Sequence, residues 1–529
     1  MSKQVYNPYM PTFEYVPDGE PHVFDGRIYL YGSHDRFDGA QFCLNDYVCY
    51  SADVNYLTDW RYEGIIYWKE QDPRNQNVPA DAQPFEVKPG IEVKENSLNP
   101  PGIHAMWAPD VVRGLDGKYY LYYCLDYLPE IAVAVCDKPA GKYEFLGFVR
   151  HEDGTALGKR EGDLIQFDPG IFIDDDKTIY LYSGNAPMHK ECFDAEKGSQ
   201  VMTLKEDMLT LATEPKHLLP DIHEAEGTEY DGHAFFEASS IRKINGRYYF
   251  VYSSVRSHEL CYAVSDRPDG GYRFGGTLVD IADIFLNGRK DDEPLNCLGN
   301  THGGIECAAG QWYVFYHRQT NRTNYSRQGC AEKIYFDEKG AIAQAEVTSC
   351  GLNKGPLEGT GTYPAAIACQ INRSGKQVLS MPDVMKEDYP YLTQDVPDFE
   401  PADGLAEKDR EEPVQYIKNI KDGSVMGYKY FTFDGMEQVT MLVRGKAGGR
   451  VMIAVDTPEN VVGELPINLD AQDWIRVCGK TEPVSGIHAL YFSFRGSGVL
   501  DFSVFKLENA HNILRGEQHE QRTGMAGQI

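Results

Sequence analysis

Five times along the chain, a Gly- or Asp-containing turn precedes a strand of alternating aromatic and aliphatic residues. No other feature restricts the fold as much. The copies are DGRIYLYGSHD from Asp25, DGKYYLYYCLD from Asp116, DDKTIYLYSGN from Asp175, NGRYYFVYSSVR from Asn245 and AGQWYVFYHRQ from Ala309. Each has the form of the second strand of a β-hairpin. Aligned on Tyr29, Tyr120, Tyr180, Tyr249 and Tyr313, the copies lie 91, 60, 69 and 64 residues apart. A four-stranded propeller blade needs roughly 40–50 residues, so each interval holds one blade and its loops. The expected fold is all-β: a five-bladed β-propeller over residues 1–350.

The long first interval contains QDPRNQNVPADAQPFEVKPGIEVKENSLNPPGIH, which is polar, Pro-rich and aperiodic, as expected of a loop laid over one face. A second excursion, from Met188 to His233, is expected to carry a strand pair or a short helix. Residues 351–363 are Gly-rich and read as a linker. From 364 to 509 short alternating strands recur at about ten-residue intervals, the texture of a β-sandwich. The tail, 510–529, is polar and has no core-forming pattern.

A net charge of −29 leaves no basic footprint for nucleic acid or an anionic membrane, and nowhere do 18 apolar residues run together. The first twenty residues show no apolar segment followed by a small-residue cleavage site, so a cytoplasmic location is expected. The 12 cysteines are scattered without CxxC or Cys/His zinc spacing and read as reduced thiols.

The inner strand of every propeller blade lines the central channel, so matched positions in different blades converge there. Ten to twelve residues before each aligned tyrosine stands a polar residue: Asp18, Asp110, Asp168, Glu237 and His302. Polar residues entering apolar strands at a matched offset make a poor core and a good channel mouth. Clustered carboxylates without metal spacing suit glycosidic bond cleavage. One carboxylic acid protonates the leaving oxygen while an ionised carboxylate activates water or attacks carbon. The two pKa values must then be pushed apart. Glu237 follows Phe235 and Phe236, which favour its protonated form, and Asp168 beside it would raise its pKa further. Asp18 enters through a solvated turn, which suits an ionised base.

With NPYMP before Asp18, MWAPD in the second blade, FDPGIFIDDD in the third, FFEASSIRKINGRYY in the fourth and YHRQ…R in the fifth, the first 350 residues resemble glycoside hydrolase family 43. That family includes α-L-arabinofuranosidases, β-xylosidases and arabinanases. The resemblance implies an inverting mechanism with Asp18 as general base, Asp168 as pKa modulator and Glu237 as general acid. It also places Trp107 against the sugar face beside the first subsite and Arg327 facing the sugar. His302 takes the channel position where relatives hold calcium or water, so a structural calcium is allowed although no cofactor is required. His34 and Asp35 end the first-blade strand at the border of the pocket, where capping or turn roles are equally open. The family commonly has Asp-Pro at the base position. Here Gly19 follows Asp18 and Glu20-Pro21 comes next, so Glu20 is a second candidate base, although only Asp18 keeps the repeat offset.

The C-terminal run FTFDGMEQVTMLVRGKAGGRVMIAVD with SGIHALYFSFRGSGVLDF resembles a family 6 carbohydrate-binding module, in which Trp474 and Tyr428 are candidate sugar contacts. The expected activity is release of terminal α-L-arabinofuranose from arabinoxylan-type oligosaccharides. An exo-β-xylosidase and a non-catalytic carbohydrate-binding propeller are the alternatives. The partner is an oligosaccharide or polysaccharide substrate.

Overall fold

The computed structural model describes residues 4–88, 90–191, 198–373, 389–395 and 413–510. The tail beyond 510 lies outside the described residues. Strands β1 (Glu20–Phe24), β2 (Arg27–Tyr31), β3 (Tyr47–Asp53) and β4 (Arg61–Tyr67) form the first antiparallel sheet. The second holds β5 (Met106–Arg113), β6 (Tyr119–Leu125), β7 (Ile131–Cys136) and β8 (Glu144–Phe148). The third holds β9 (Gly170–Ile173), β10 (Ile179–Ser183), β11 (Gln200–Leu204) and β12 (Lys216–His217). The fourth holds β13 (Phe235–Ile244), β14 (Arg247–Ser254), β15 (Glu259–Ser265) and β16 (Arg273–Asp280). The fifth has three strands, β17 (Ile305–Ala308), β18 (Gln311–Gln319) and β19 (Arg327–Ile334). The five aligned tyrosines all lie on second strands, and the excursion after Met188 carries the strand pair β11–β12.

The first strands touch in the order β1, β5, β9, β13, β17 and back to β1, which closes a five-bladed propeller. Each blade is clasped between two neighbours, so both faces of its middle strands are buried. Ile28 and Leu30 of β2 pack toward the fifth blade, whereas Tyr29 and Tyr31 pack toward the second. In β14, Tyr249 and Val251 face the fifth blade, and Tyr248, Phe250 and Tyr252 face the third. This two-sided burial is why the repeats read as nearly unbroken aromatic and aliphatic runs. The core is therefore five wedges between blades.

Among the described residues the fifth blade has no fourth strand, and residues 7–9 cover its outer edge. The Tyr9 N–H donates to the Gly329 carbonyl at 3.1 Å. The buried Asn7 amide then copies a strand pair, accepting from the Ala331 N–H at 3.0 Å and donating to its carbonyl at 3.0 Å. It also donates to Glu332 at 2.8 Å and to the Thr348 carbonyl at 3.1 Å. Asn7→Ala leaves these buried groups unpaired, and we expect it to lower stability by about 1–3 kcal/mol, measured as a lower unfolding midpoint in urea.

Beyond the propeller, β20 (Leu357–Glu358), β21 (Gly361–Pro364), β22 (Gln370–Arg373), β23 (Tyr391–Gln394), β24 (Gln415–Ile420), β25 (Ser424–Val455) and β26 (Val461–Asn509) form one seven-stranded sheet. Ser424–Val455 and Val461–Asn509 pair in several registers, so the sheet curls around a single apolar core that includes Phe431, Phe492 and Phe505. The residues read as a linker, 351–363, include β20 and most of β21, which pair with β25 and β26 as part of this sheet. Tyr428 is fully buried in that core, its hydroxyl donating to the Ala365 carbonyl at 3.2 Å, so it presents nothing to a sugar. Trp474 meets Tyr416 edge-on at 5.3 Å, and the Arg444 guanidinium lies 4.4 Å from the Trp474 ring. The sheet docks on the propeller through Gln415, whose amide donates to the Thr12 carbonyl, and through Lys429, which pairs with Glu346 at 2.7 Å.

Candidate active site

One pocket of about 580 Å³ sits at the mouth of the propeller channel, and every blade contributes to its wall. Asp18, Trp107, Asp168, Glu237, His302 and Arg327 all line it. The backbone is bent where the three carboxylates enter. Asp18 and Asp168 have left-handed φ of 56° and 45° immediately before their inner strands. In β13 the register shifts on either side of Glu237, and Ala238 after it has φ 74°. A bulge of this kind re-aims one side chain out of the ladder. Left-handed non-glycine residues cost on the order of 1–3 kcal/mol each and persist where surrounding structure holds them.

The carboxylates occupy contrasting environments. Burial alone would raise the pKa of Asp18. Together, the charges of Arg327 and His302 and a Ser33 hydrogen bond outweigh that and hold the carboxyl below its ordinary value. Arg327 Nη1 donates to Asp18 Oδ1 at 2.9 Å, and the Asp18 N–H donates to His317 Nδ1 at 3.1 Å. Burial pushes His317 itself down to about 3, so its ring is neutral at neutral pH and free to accept. Glu237 shifts the other way: burial and then repulsion from Asp168 raise it well above the usual carboxylate range. Asn185 Nδ2 donates to its Oε2 at 3.4 Å. Asp168 is also raised, by burial, and the His302 charge and a hydrogen bond from the Ala238 N–H offset part of that.

Burial would lower His302. The Asp168 carboxylate 3.4 Å from its Nδ1 outweighs this, and Asp18 adds to it, so His302 lies at about 9. It is an imidazolium at neutral pH. The sequence expectation of a calcium ligand at this position does not fit these neighbours. Calcium takes about six to eight oxygens, whereas His302 offers a nitrogen and its nearby carboxylate is already its ion-pair partner. Among the described residues the two groups spaced to hold a metal are Glu20, His22 and Asp110, and His233, Glu259 and Cys261; neither contains His302.

Two other expected positions stand outside the pocket lining. His34 is buried between Glu14, whose Oε2 is 3.1 Å from Nε2, and the Asp46 carbonyl, 2.7 Å from Nδ1. It supports the loop after the first strand pair. Asp110 accepts from the Ile171 N–H at 2.7 Å and pairs with His22 at 2.6 Å, which fastens blade two to blade three. Glu20 sits with this group: it pairs with Arg242 at 2.8 Å and accepts from Ser240 at 2.9 Å. It does not line the pocket; Asp18 does.

Several residues at the site carried no signal in the repeat pattern. Asp35 grips Arg327 from the far side, its two oxygens 2.8 and 3.0 Å from Nε and Nη2. Phe42 lies under the same guanidinium at 4.7 Å and lines the pocket. Trp107 is half-buried, with Phe167 edge-on at 5.3 Å. Asp35 was detectable as an acid closing a buried strand. Phe42 sits in an irregular loop with no period to mark it.

A propeller channel that opens into a pocket holding one carboxyl whose pKa is held down and another whose pKa is pushed up is the arrangement of a glycoside hydrolase. The chain belongs to glycosyl hydrolase family 43. The model of that family matches residues 80–342. A xylosidase/arabinosidase of Thermoclostridium stercorarium is 45% identical over 512 residues, covering 96% of this chain and 99% of the relative. A β-xylosidase of Xylanibacter ruminicola is 29% identical and covers 63% of this chain and 98% of its own length. The solved structure of a Bacillus subtilis arabinoxylan arabinofuranohydrolase aligns with 94% of this chain and 96% of its own at 18% identity and a TM-score of 0.46.

Proposed function

We propose that this enzyme is an exo-acting, inverting glycosidase that releases terminal α-L-arabinofuranose from arabinoxylan-type oligosaccharides. In this reading Glu237 protonates the leaving oxygen while Asp18 takes a proton from the attacking water. Asp168 keeps Glu237 protonated by like-charge repulsion. The feature that carries it is that Asp18 and Glu237, in one pocket, have their pKa values pushed apart, toward the ionised state for Asp18 and the protonated state for Glu237. Inversion requires both states at once, because acid and base act in a single displacement. Arg327 keeps its positive charge against Asp18, and Trp107 offers an apolar ring of the kind that packs on sugar C–H faces.

A second reading, exo-β-xylosidase action in the same pocket, is favoured by one relative whose name joins both activities and another named a β-xylosidase. Rates on 4-nitrophenyl α-L-arabinofuranoside and β-D-xyloside rank the two. We expect the arabinofuranoside to be the better substrate. Proton NMR of the first-formed sugar should show inverted anomeric configuration; initial retention would exclude the single displacement.

The pH profile follows from the same charges. Activity should fall on the acid side as Asp18 protonates, below the ordinary aspartate range, and on the alkaline side as Glu237 ionises. Asp168→Asn removes the repulsion on Glu237. Its pKa should drop, so the alkaline limb of kcat/KM should move to lower pH by roughly one unit.

A further inference from the structure

We propose that the hollow lined by residues 79–88 and 99–104 beside the catalytic pocket is a second saccharide site. It would take the leaving-group side of an oligosaccharide whose terminal sugar occupies the first pocket. The inference rests on the glycosidase reading above and adds where the rest of the substrate lies. The hollow measures about 720 Å³, and Lys88 lines both it and the catalytic pocket. The two are therefore neighbours, and a chain leaving the first can enter the second.

The passage between them is aromatic. The Tyr127 ring is 5.8 Å from the Trp107 ring on one side and 6.0 Å from Phe85 on the other. Tyr127 is 73% exposed and has a left-handed φ of 58°. A large aromatic held open to water at a strained position gains nothing for the core, whereas exposed rings in series suit the apolar faces of successive sugar rings. Phe85 and Trp107 are both half-buried, each with part of its surface still open.

The polar side is prepared as well. Asn99 lines the hollow and is only 9% exposed. Its Oδ1 is 3.4 Å from Lys69 Nζ, while its Nδ2 has no hydrogen-bond partner among the described residues. An unpaired buried donor costs about 1–3 kcal/mol, and a sugar hydroxyl or a water would satisfy it. Asp126, which also lines the hollow, accepts from Gln41 Nε2 at 2.7 Å and pairs with His104 Nδ1 at 2.7 Å, which fixes its carboxylate. The charged side chains of the hollow are of both signs: Arg74 is paired with Asp72, and Glu86 stands close to Lys88 in sequence. That mixture favours a neutral, hydroxyl-rich ligand over an ionic one.

The test is calorimetric titration of the full chain carrying Glu237→Gln, which slows any turnover of the ligand by about 10³- to 10⁴-fold, with xylotriose. Binding is expected, and Phe85→Ala and Asn99→Asp should each weaken it by about tenfold. The unfolding midpoint of each variant shows whether it is folded, and Phe85, half-exposed in a loop, is a low-risk substitution. Xylotriose binding that is absent, or that Phe85→Ala leaves unaltered in a folded protein, overturns the proposal. Failure of the glycosidase reading looks different. Neither nitrophenyl pentoside would be hydrolysed by the unsubstituted chain, yet xylotriose binding would still depend on Phe85, and the hollow would stand as a saccharide site.

Discussion

Glu237→Gln is expected to lower kcat on an arabinosylated xylo-oligosaccharide by about 10³- to 10⁴-fold with little change in KM. The substitution keeps the shape and the contact with Asn185 and removes only the proton. A sugar alkoxide is a strongly basic leaving group, so without a proton donor nearly the whole barrier of the uncatalysed departure returns. On a 4-nitrophenyl glycoside the departing phenolate is weakly basic and needs little protonation, and the loss should shrink sharply. The alkaline limb of the pH profile should vanish with it, since ionisation of Glu237 causes that limb. Steady-state rates on both substrates, for the parent and the variant, decide the matter. Equal losses on the two would make Glu237 a binding group rather than the acid.

The propeller was legible in the sequence because its physics is repetitive. Every second strand is buried on both faces, so Tyr29, Tyr120, Tyr180, Tyr249 and Tyr313 announce themselves at intervals of a blade. The matched offset then brought Asp18, Asp168, Glu237 and His302 to one pocket. It failed for Asp110, which lies past the register shift that follows Trp107 and turns onto blade three, whereas Glu237 lies ahead of the matching shift before Ser240. An offset counts residues and cannot see a bulge. Ring closure was hidden for a related reason. Asn7 completes the fifth blade with a side-chain amide, and nothing in a strand pattern marks a side chain acting as backbone. His34 and Asp35 show the limit most plainly. They are adjacent, and only their opposite side-chain directions separate a loop support from the residue that grips Arg327. The C-terminal sheet was legible as alternating strands, but its curl depends on pairings between distant residues, such as Met436 with both Val484 and Asn509.

Asp18→Asn and Glu20→Gln should separate the two candidate bases, with effects of different kinds. Asp18→Asn is expected to lower kcat by about 10³- to 10⁴-fold on the oligosaccharide and on the nitrophenyl glycoside alike. Attack by water is needed whichever group departs, so this variant should not show the substrate dependence of Glu237→Gln. Collapse of the site is not the expected cause, since Asp35 still holds Arg327 at Nε and Nη2 after Asp18 loses its charge. Glu20→Gln should leave kcat nearly unchanged and instead lower stability by about 1–3 kcal/mol, because it strips the charge from a buried pair with Arg242. Kinetics and urea unfolding on the same preparations give both readouts. Near-normal turnover in Asp18→Asn together with a dead Glu20→Gln would move the base to Glu20. Such a result would require Glu20 to leave Ser240 and Arg242, since it does not line the pocket in this structure. Arg327→Met supplies the electrostatic half of the argument. With the guanidinium gone, burial of Asp18 is opposed mainly by the weaker influences of His302 and Ser33. Its pKa should rise, and the acid limb of kcat/KM should move to higher pH, the opposite limb from the one that Asp168→Asn displaces.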